Sequence, residues 1–406
     1  VIDPDGLALT TRNSYNSDGQ IIFTTMPAGD AAGTTPATRK IVFYRSGTGS
    51  GYTECDNHAE WALLPCRVFA AAQPGTGPEL PTQVATYDMY GQSRITVEKN
   101  STATLRTSTV TYDNAGRPVD TVITSSLGTS VDKRRIIYDA ATGYKTGTQA
   151  LNTSGTVMAS ITRGYDTLGR PTSYTDADGN TSTTTYNLLS QPATVNDGKA
   201  TRTLTYNTGD EKRGLPTQIV DGQAGTFTAD YDGAGDIIAE TRPDGLTVRR
   251  YYNENAQPTG IEYVTVPNCW TADCTLYYDY TGSDVHGKIR SDASSFSDSG
   301  YGYDDAGRLN GALQKTITGC ALRNYQFDTS SNRIELMAYG SSTVGTCQDS
   351  DPATTRTWDY DTADRVANAG YTYDTLGRTL TLPDDDTVAG NGAGDLTATY
   401  YTTAMA

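Results

Sequence analysis

One hexapeptide dominates the chain. Tyr165-Asp166-Thr167-Leu168-Gly169-Arg170 returns as Tyr112-Asp113-Asn114-Ala115-Gly116-Arg117, Tyr303-Asp304-Asp305-Ala306-Gly307-Arg308 and Tyr373-Asp374-Thr375-Leu376-Gly377-Arg378. Looser copies stand at Tyr15-Asn16, Tyr87-Asp88, Tyr138-Asp139, Tyr231-Asp232, Phe327-Asp328 and Tyr360-Asp361. Self-similarity of this kind decides the architecture before any other signal is weighed. An Asp at the first turn position accepts the backbone N–H two residues on, and a Gly three residues later takes the left-handed conformation that closes a bulged hairpin. The Tyr therefore ends one strand and the Arg begins the next. Asp176-Ala177-Asp178-Gly179-Asn180, Asp197-Gly198, Asp221-Gly222 and Pro243-Asp244-Gly245 supply a second set of turns between the first. Runs such as Thr102–Tyr112 are rich in β-branched residues, as strands require.

Tyrosines at 87, 112, 138, 165, 186, 206, 231 and 252 follow one another at intervals of 20 to 27 residues. A period of this length predicts a quasi-linear array in which each unit covers its neighbour. No stretch carries a 3.6-residue apolar period, so helix is expected to be scarce.

The hexapeptides resemble the YD repeats of the RHS family over roughly residues 84 to 380, with a first copy at Tyr15-Asn16-Ser17-Asp18-Gly19-Gln20. The resemblance implies an all-β chain, a spiral sheet of hairpins forming part of a hollow shell that in the family often encloses a toxin. The segment Cys55–Cys66, with Ala72-Gln73-Pro74-Gly75 after it, is similar to secreted actinobacterial members.

Composition agrees with a thin sheet. Only 36% of the residues are hydrophobic, too few for one large core, and 28 Tyr stand against 6 Phe. A ring with a polar tip suits a sheet wet on one side, and ring-on-ring packing between repeats is expected ahead of sugar stacking. A net charge of −16, without Lys/Arg runs, argues against nucleic acid and anionic membranes as partners. Among fifteen possible connectivities, proximity suggests Cys55 with Cys66, Cys269 with Cys274 and Cys320 with Cys347, pointing to an oxidising, extracellular setting. A zinc site from Cys55, Cys66 and His58 lacks a fourth ligand and a standard spacing.

Residues 1–30 read as a first repeat, 31–83 as an irregular disulfide-containing insertion, and 84–263 as regular repeats. Residues 264–350 read as disulfide-decorated repeats and 351–406 as terminal ones. No signal peptide or membrane-spanning run is visible, and both ends lie close to mid-pattern, so the remainder of a larger polypeptide is the expected partner.

Chemistry is scarce. His58 and His286 lie in different repeats without a nucleophile motif, and no phosphate loop or His-Glu-x-x-His occurs. Acid pairs such as Asp304-Asp305 and Asp384-Asp385-Asp386 sit where turns call for Asp. The stretch Asp384–Asp395 is acidic and Gly-rich but departs from the calcium-loop pattern. The Asp-Pro-rich core motif tied to self-cleavage in RHS proteins is not found after Leu382. No catalytic residue, cofactor or metal is expected. The leading expectation is a non-enzymatic shell segment around a toxin-like cargo used in competition between bacteria. An adhesin binding cell-surface glycans is the alternative.

Overall fold

The computed structural model describes residues 9–127, 132–265, 274–340, 347, 352–387, 392 and 394–400. Twenty-seven strands, from β1 (Arg12–Tyr15) to β27 (Pro352–Thr357), form a single sheet, each antiparallel to the next along the chain. Helix among the described residues is confined to three-residue 3-10 turns. None of it is long and apolar enough to cross a membrane.

The strands follow from local chemistry. Short Thr-rich runs alternate across the pleat, as in Thr181–Tyr186, whose exposure alternates residue by residue. Each repeat Tyr stands at a register slip. In β11 (Val157–Tyr165), Gly164 pairs with Ser173, whereas Tyr165 pairs with Pro171 of β12 (Pro171–Thr175), so one residue bulges out. The same slip occurs at Tyr112, Tyr303 and Tyr373. Successive hairpins thus alternate between two edges of one strip. The Tyr-Asp turns lie on one edge, here named the turn edge, and the connecting loops lie on the other, the loop edge.

Burial is sparse. Only ten hydrophobic residues are buried among those described. The accessible surface is 23692 Å², against roughly 15,000 Å² for a compact protein of this mass. A strip with both faces open accounts for the excess. Among the described residues, the buried cluster is Tyr44, Cys55 and Cys66, with Trp61 and Tyr87 packed against it. There the Cys55–Cys66 disulfide (Cα–Cα 5.7 Å) ties the 44–64 loop to β4 (Pro65–Ala70). The block 31–83 contributes β3 (Thr38–Phe43) and β4 to the same sheet.

The strip curls back on itself. Beyond β27, the Asp361–Arg365 turn reaches the loop between β4 and β5 (Thr82–Tyr87). The Arg365 guanidinium donates to the carbonyls of Pro78 (2.9 Å) and Thr76 (3.1 Å). The 23 strands from β5 to β27 therefore make one lap, about 110 Å around at roughly 4.8 Å per strand. That perimeter corresponds to a diameter of about 35 Å. Strands β1 and β27 do not pair, so the sheet is open. A small sheet of β28 (Thr372–Tyr373), β29 (Thr379–Leu382) and β30 (Leu396–Thr397) ends the described chain. Asp386 anchors it by accepting from Trp358 Nε1 (3.1 Å), Tyr371 Oη (2.7 Å) and Arg356 Nη1 (3.3 Å).

Candidate functional site: a ladder along the turn edge

Each turn is a closed circuit. Asp166 Oδ1 accepts the backbone N–H of Leu168 (2.9 Å) and of Arg170 (3.0 Å), while Oδ2 takes the Nε–H of Arg170 (2.6 Å). Gly169 sits at φ +79°, where an L side chain is strained. Asp113 holds Arg117, Asp304 holds Arg308 and Asp374 holds Arg378 by the same bonds. Gly116, Gly307 and Gly377 share the left-handed backbone. In the Asp361–Arg365 turn, Asp364 takes that place at φ +59°.

The circuits are linked. The guanidinium of Arg117 lies 4.3 Å from the ring centre of Tyr138, the next repeat tyrosine along the edge. Arg170 covers Tyr186 at 4.5 Å, Arg308 covers Phe327 at 4.8 Å and Arg378 covers Tyr400 at 4.5 Å. Each covered tyrosine then donates its hydroxyl to the carbonyl that follows the preceding turn: Tyr138 to Pro118 (3.2 Å), Tyr186 to Pro171 (2.6 Å) and Tyr400 to Thr379 (2.7 Å). Tyr112, Tyr165 and Tyr303 make the equivalent bonds to Ser93, Lys145 and Ile289. One rung thus runs from Asp to Arg, to the next Tyr, and back to backbone. The cation–π contact contributes about 0.5–1 kcal/mol and the hydrogen bond about 1 kcal/mol. The Arg, taken from sequence only as the start of a strand, is the link. Its recurrence four residues after Asp113, Asp166, Asp304, Asp361 and Asp374 was the available signal.

The ladder changes the reading of the tyrosines. Ring-on-ring packing was expected between repeats, and pairs such as Tyr144–Tyr165 (5.1 Å) and Tyr251–Tyr280 (5.6 Å) do occur. Tyr138, Tyr186, Tyr303, Tyr373 and Tyr400 instead lie beneath a guanidinium, because an Arg of the neighbouring turn region projects along the edge at the level of the ring.

No catalytic constellation assembles among the described residues. His58 Nδ1 lies 2.8 Å from Glu60 and its ring stacks on Trp61, whereas His286 belongs to a distant turn. Cys55 and Cys66 are joined to each other, as are Cys320 and Cys347 (Cα–Cα 5.2 Å). The first pair therefore offers no thiolate to a metal. Cys274 is disulfide-bonded, while Cys269 lies outside the described residues. No group of three or more His, Cys, Asp or Glu among the described residues is placed to hold a metal ion.

Two acidic clusters on the sheet had no sequence signal. Glu262 accepts from Tyr251 (2.8 Å) and Tyr280, with Arg249 at 3.5 Å. Burial opposes its charge, yet these donors hold its carboxyl below the usual range. Asp279 takes the hydroxyl of Tyr277 (3.1 Å). Burial first, and then Asp279, push the Asp292 carboxyl up.

The fold and the ladder define an all-β strip of hairpins, curled into an open lap. No protein-family model matches the chain, and no curated protein matches it in sequence. Among solved structures, the Photorhabdus luminescens Tc holotoxin pore matches 92% of the chain with a TM-score of 0.58 at 14% identity. A crystal structure of TcdB2-TccC3-TEV matches over 92% with a TM-score of 0.48 at 14% identity. The chain spans about a fifth of those structures, 19% and 21% of their lengths. The likeness to the holotoxin supports an RHS-like shell fold.

Proposed function

We propose that this chain is a wall segment of a larger secreted RHS/YD-repeat protein, without catalytic residues of its own. Its curled sheet encloses a polypeptide cargo, a C-terminal toxin used in competition between bacteria. The observation that carries this reading is the contact of Arg365 with the Thr76–Pro78 loop after one lap of 23 strands. A strip that closes a perimeter of about 110 Å, with so little buried apolar surface, bounds a space instead of filling it. The likeness to a region of a holotoxin supports the same reading. The disulfides suit an oxidising, extracellular location.

The ladder supplies the mechanics. Every hairpin bonds to the one before it, so opening the wall at one point breaks a rung without freeing the rest. The hydroxyls of repeat tyrosines such as Tyr112, Tyr165, Tyr186 and Tyr303 bond to carbonyls of neighbouring repeats, which favours the wall over the glycan-binding alternative.

Limited proteolysis of the intact native polypeptide tests the proposal. Cargo downstream of the repeats should resist cleavage at protease levels that digest the same segment produced alone. Equal cleavage rates in the two contexts would refute enclosure.

A further inference from the structure

The block 31–83 builds a pocket that a wall of hairpins does not require. It opens between the Asn16–Gln20 turn, the ends of β2 (Ile21–Thr25) and β3, and the 44–52 stretch of the stapled loop, with a volume of about 610 Å³. That is the size of a small-molecule site. Its lining gathers a large share of the chain's apolar rings. Phe occurs six times in 406 residues, and Phe23, Phe43 and Phe69 all line this pocket, joined by Tyr52. A core would bury these rings completely, yet all four stay partly exposed around an open space.

The walls are held without help from a ligand. The Cys55–Cys66 disulfide and buried Tyr44 anchor the loop. Asp56 accepts from the backbone N–H groups of Gly49 (3.3 Å) and Ser50 (2.9 Å). The Arg67 guanidinium, paired with Glu54 at 2.7 Å, lies 4.4 Å from the ring centre of Tyr52 and 5.1 Å from that of Phe69. A cavity fixed in this way lowers the ordering cost of binding.

Its charge is the reverse of the chain's. Against a net charge of −16, the lining carries Lys40 and Arg45 and a single acid, Asp18. Arg45 lies within electrostatic range of Asp56. The Lys40 ammonium sits over the Phe23 ring, 5.5 Å from its centre, and pairs with no carboxylate among the described residues. A cation held against an aromatic wall without a counter-ion matches an anion carried on an apolar body.

We infer that this pocket binds a small aromatic carboxylate, with its ring among Phe23, Phe43, Tyr52 and Phe69 and its anion on Lys40. The site belongs to the stapled loop and the first strands, and is independent of whether the wall holds cargo.

The test titrates 2-naphthoate, and separately its neutral counterpart 2-naphthylmethanol, into the intact native polypeptide by isothermal calorimetry. The site predicts saturable binding of one naphthoate per chain, with the alcohol weaker by about tenfold or more. Lys40→Gln should bring naphthoate down to the level of the alcohol, whereas Lys199→Gln, on an exposed loop, should leave it unchanged. Hydrogen exchange with naphthoate bound should slow in residues 44–52. No saturable binding, equal affinity for acid and alcohol, unchanged affinity in Lys40→Gln, or slowing confined to other residues would each overturn the site. Cargo protection is read separately by proteolysis, so either proposal can fail without the other.

Discussion

Arg365 donates to the Thr76 carbonyl, a residue 289 positions earlier, while its Nε–H remains on Asp361 at 2.8 Å. Both members of the ion pair are nearly buried, at 7% and 10% exposure. Replacing Arg365 with Ala strands the Asp361 carboxylate and frees two carbonyls. We expect a loss of about 2–4 kcal/mol in urea unfolding and faster hydrogen exchange across residues 74–81. Arg365→Lys should recover part of the stability, since an ammonium cannot span both carbonyls and the carboxylate. Unchanged exchange in the 74–81 loop would show that the lap does not close there.

The left-handed turn positions separate backbone strain from crowding. A Cβ on Gly377 would meet nothing within 4 Å, whereas one on Gly169 would collide with the hydroxyl end of Tyr144. Gly377→Ala should cost about 1 kcal/mol and Gly169→Ala about 2 kcal/mol. The reverse change is available at Ala256, held at φ +59°. Ala256→Gly should stabilise by about 0.5–1 kcal/mol, the relief of strain exceeding the added chain entropy. Thermal melting of the three variants checks the order.

Removing one rung should be mild and local. Tyr165→Phe keeps the ring but deletes the bond to the Lys145 carbonyl, at a cost of about 1 kcal/mol. Phe327 already serves beneath Arg308 without a hydroxyl. Tyr165→Ala also removes the ring and should cost about 3 kcal/mol or more. Equal losses for the two variants would place the energy in the hydroxyl alone.

Acid should dismantle the turns. The side chain and backbone N–H of Arg117 hold Asp113 below the usual carboxylate range, and the backbone N–H of Arg170 does the same for Asp166. A depressed folded pKa means stability fully present above the unfolded value near 4 and lost as pH falls through the folded one. Melting temperature should therefore drop steeply below about pH 4. Asp292 works in the opposite sense, because its raised pKa disfavours the folded state once the carboxyl ionises. Asp292→Asn should raise the melting temperature at pH 7 and leave it unchanged or lower at pH 3. A rise of equal size at both pH values would rule out titration as the cause.

Hairpins, their turns and the scarcity of helix were legible because their causes lie within six residues. Asp166, Gly169 and Arg170 complete their circuit without reference to the rest of the molecule. The ladder was half legible: the spacing placed Tyr186 one hairpin beyond Arg170, but the direction of the guanidinium depends on the pleat of two paired strands. The lap closure had no local signature. Tyr165–Arg170 and Tyr373–Arg378 are identical as peptides and differ in exposure, and nothing in Thr76–Pro78 names Arg365 as its donor. That contact follows from strand twist summed over 23 strands. Local chemistry thus determined the strip and its two edges, whereas accumulated curvature decided where the edges meet.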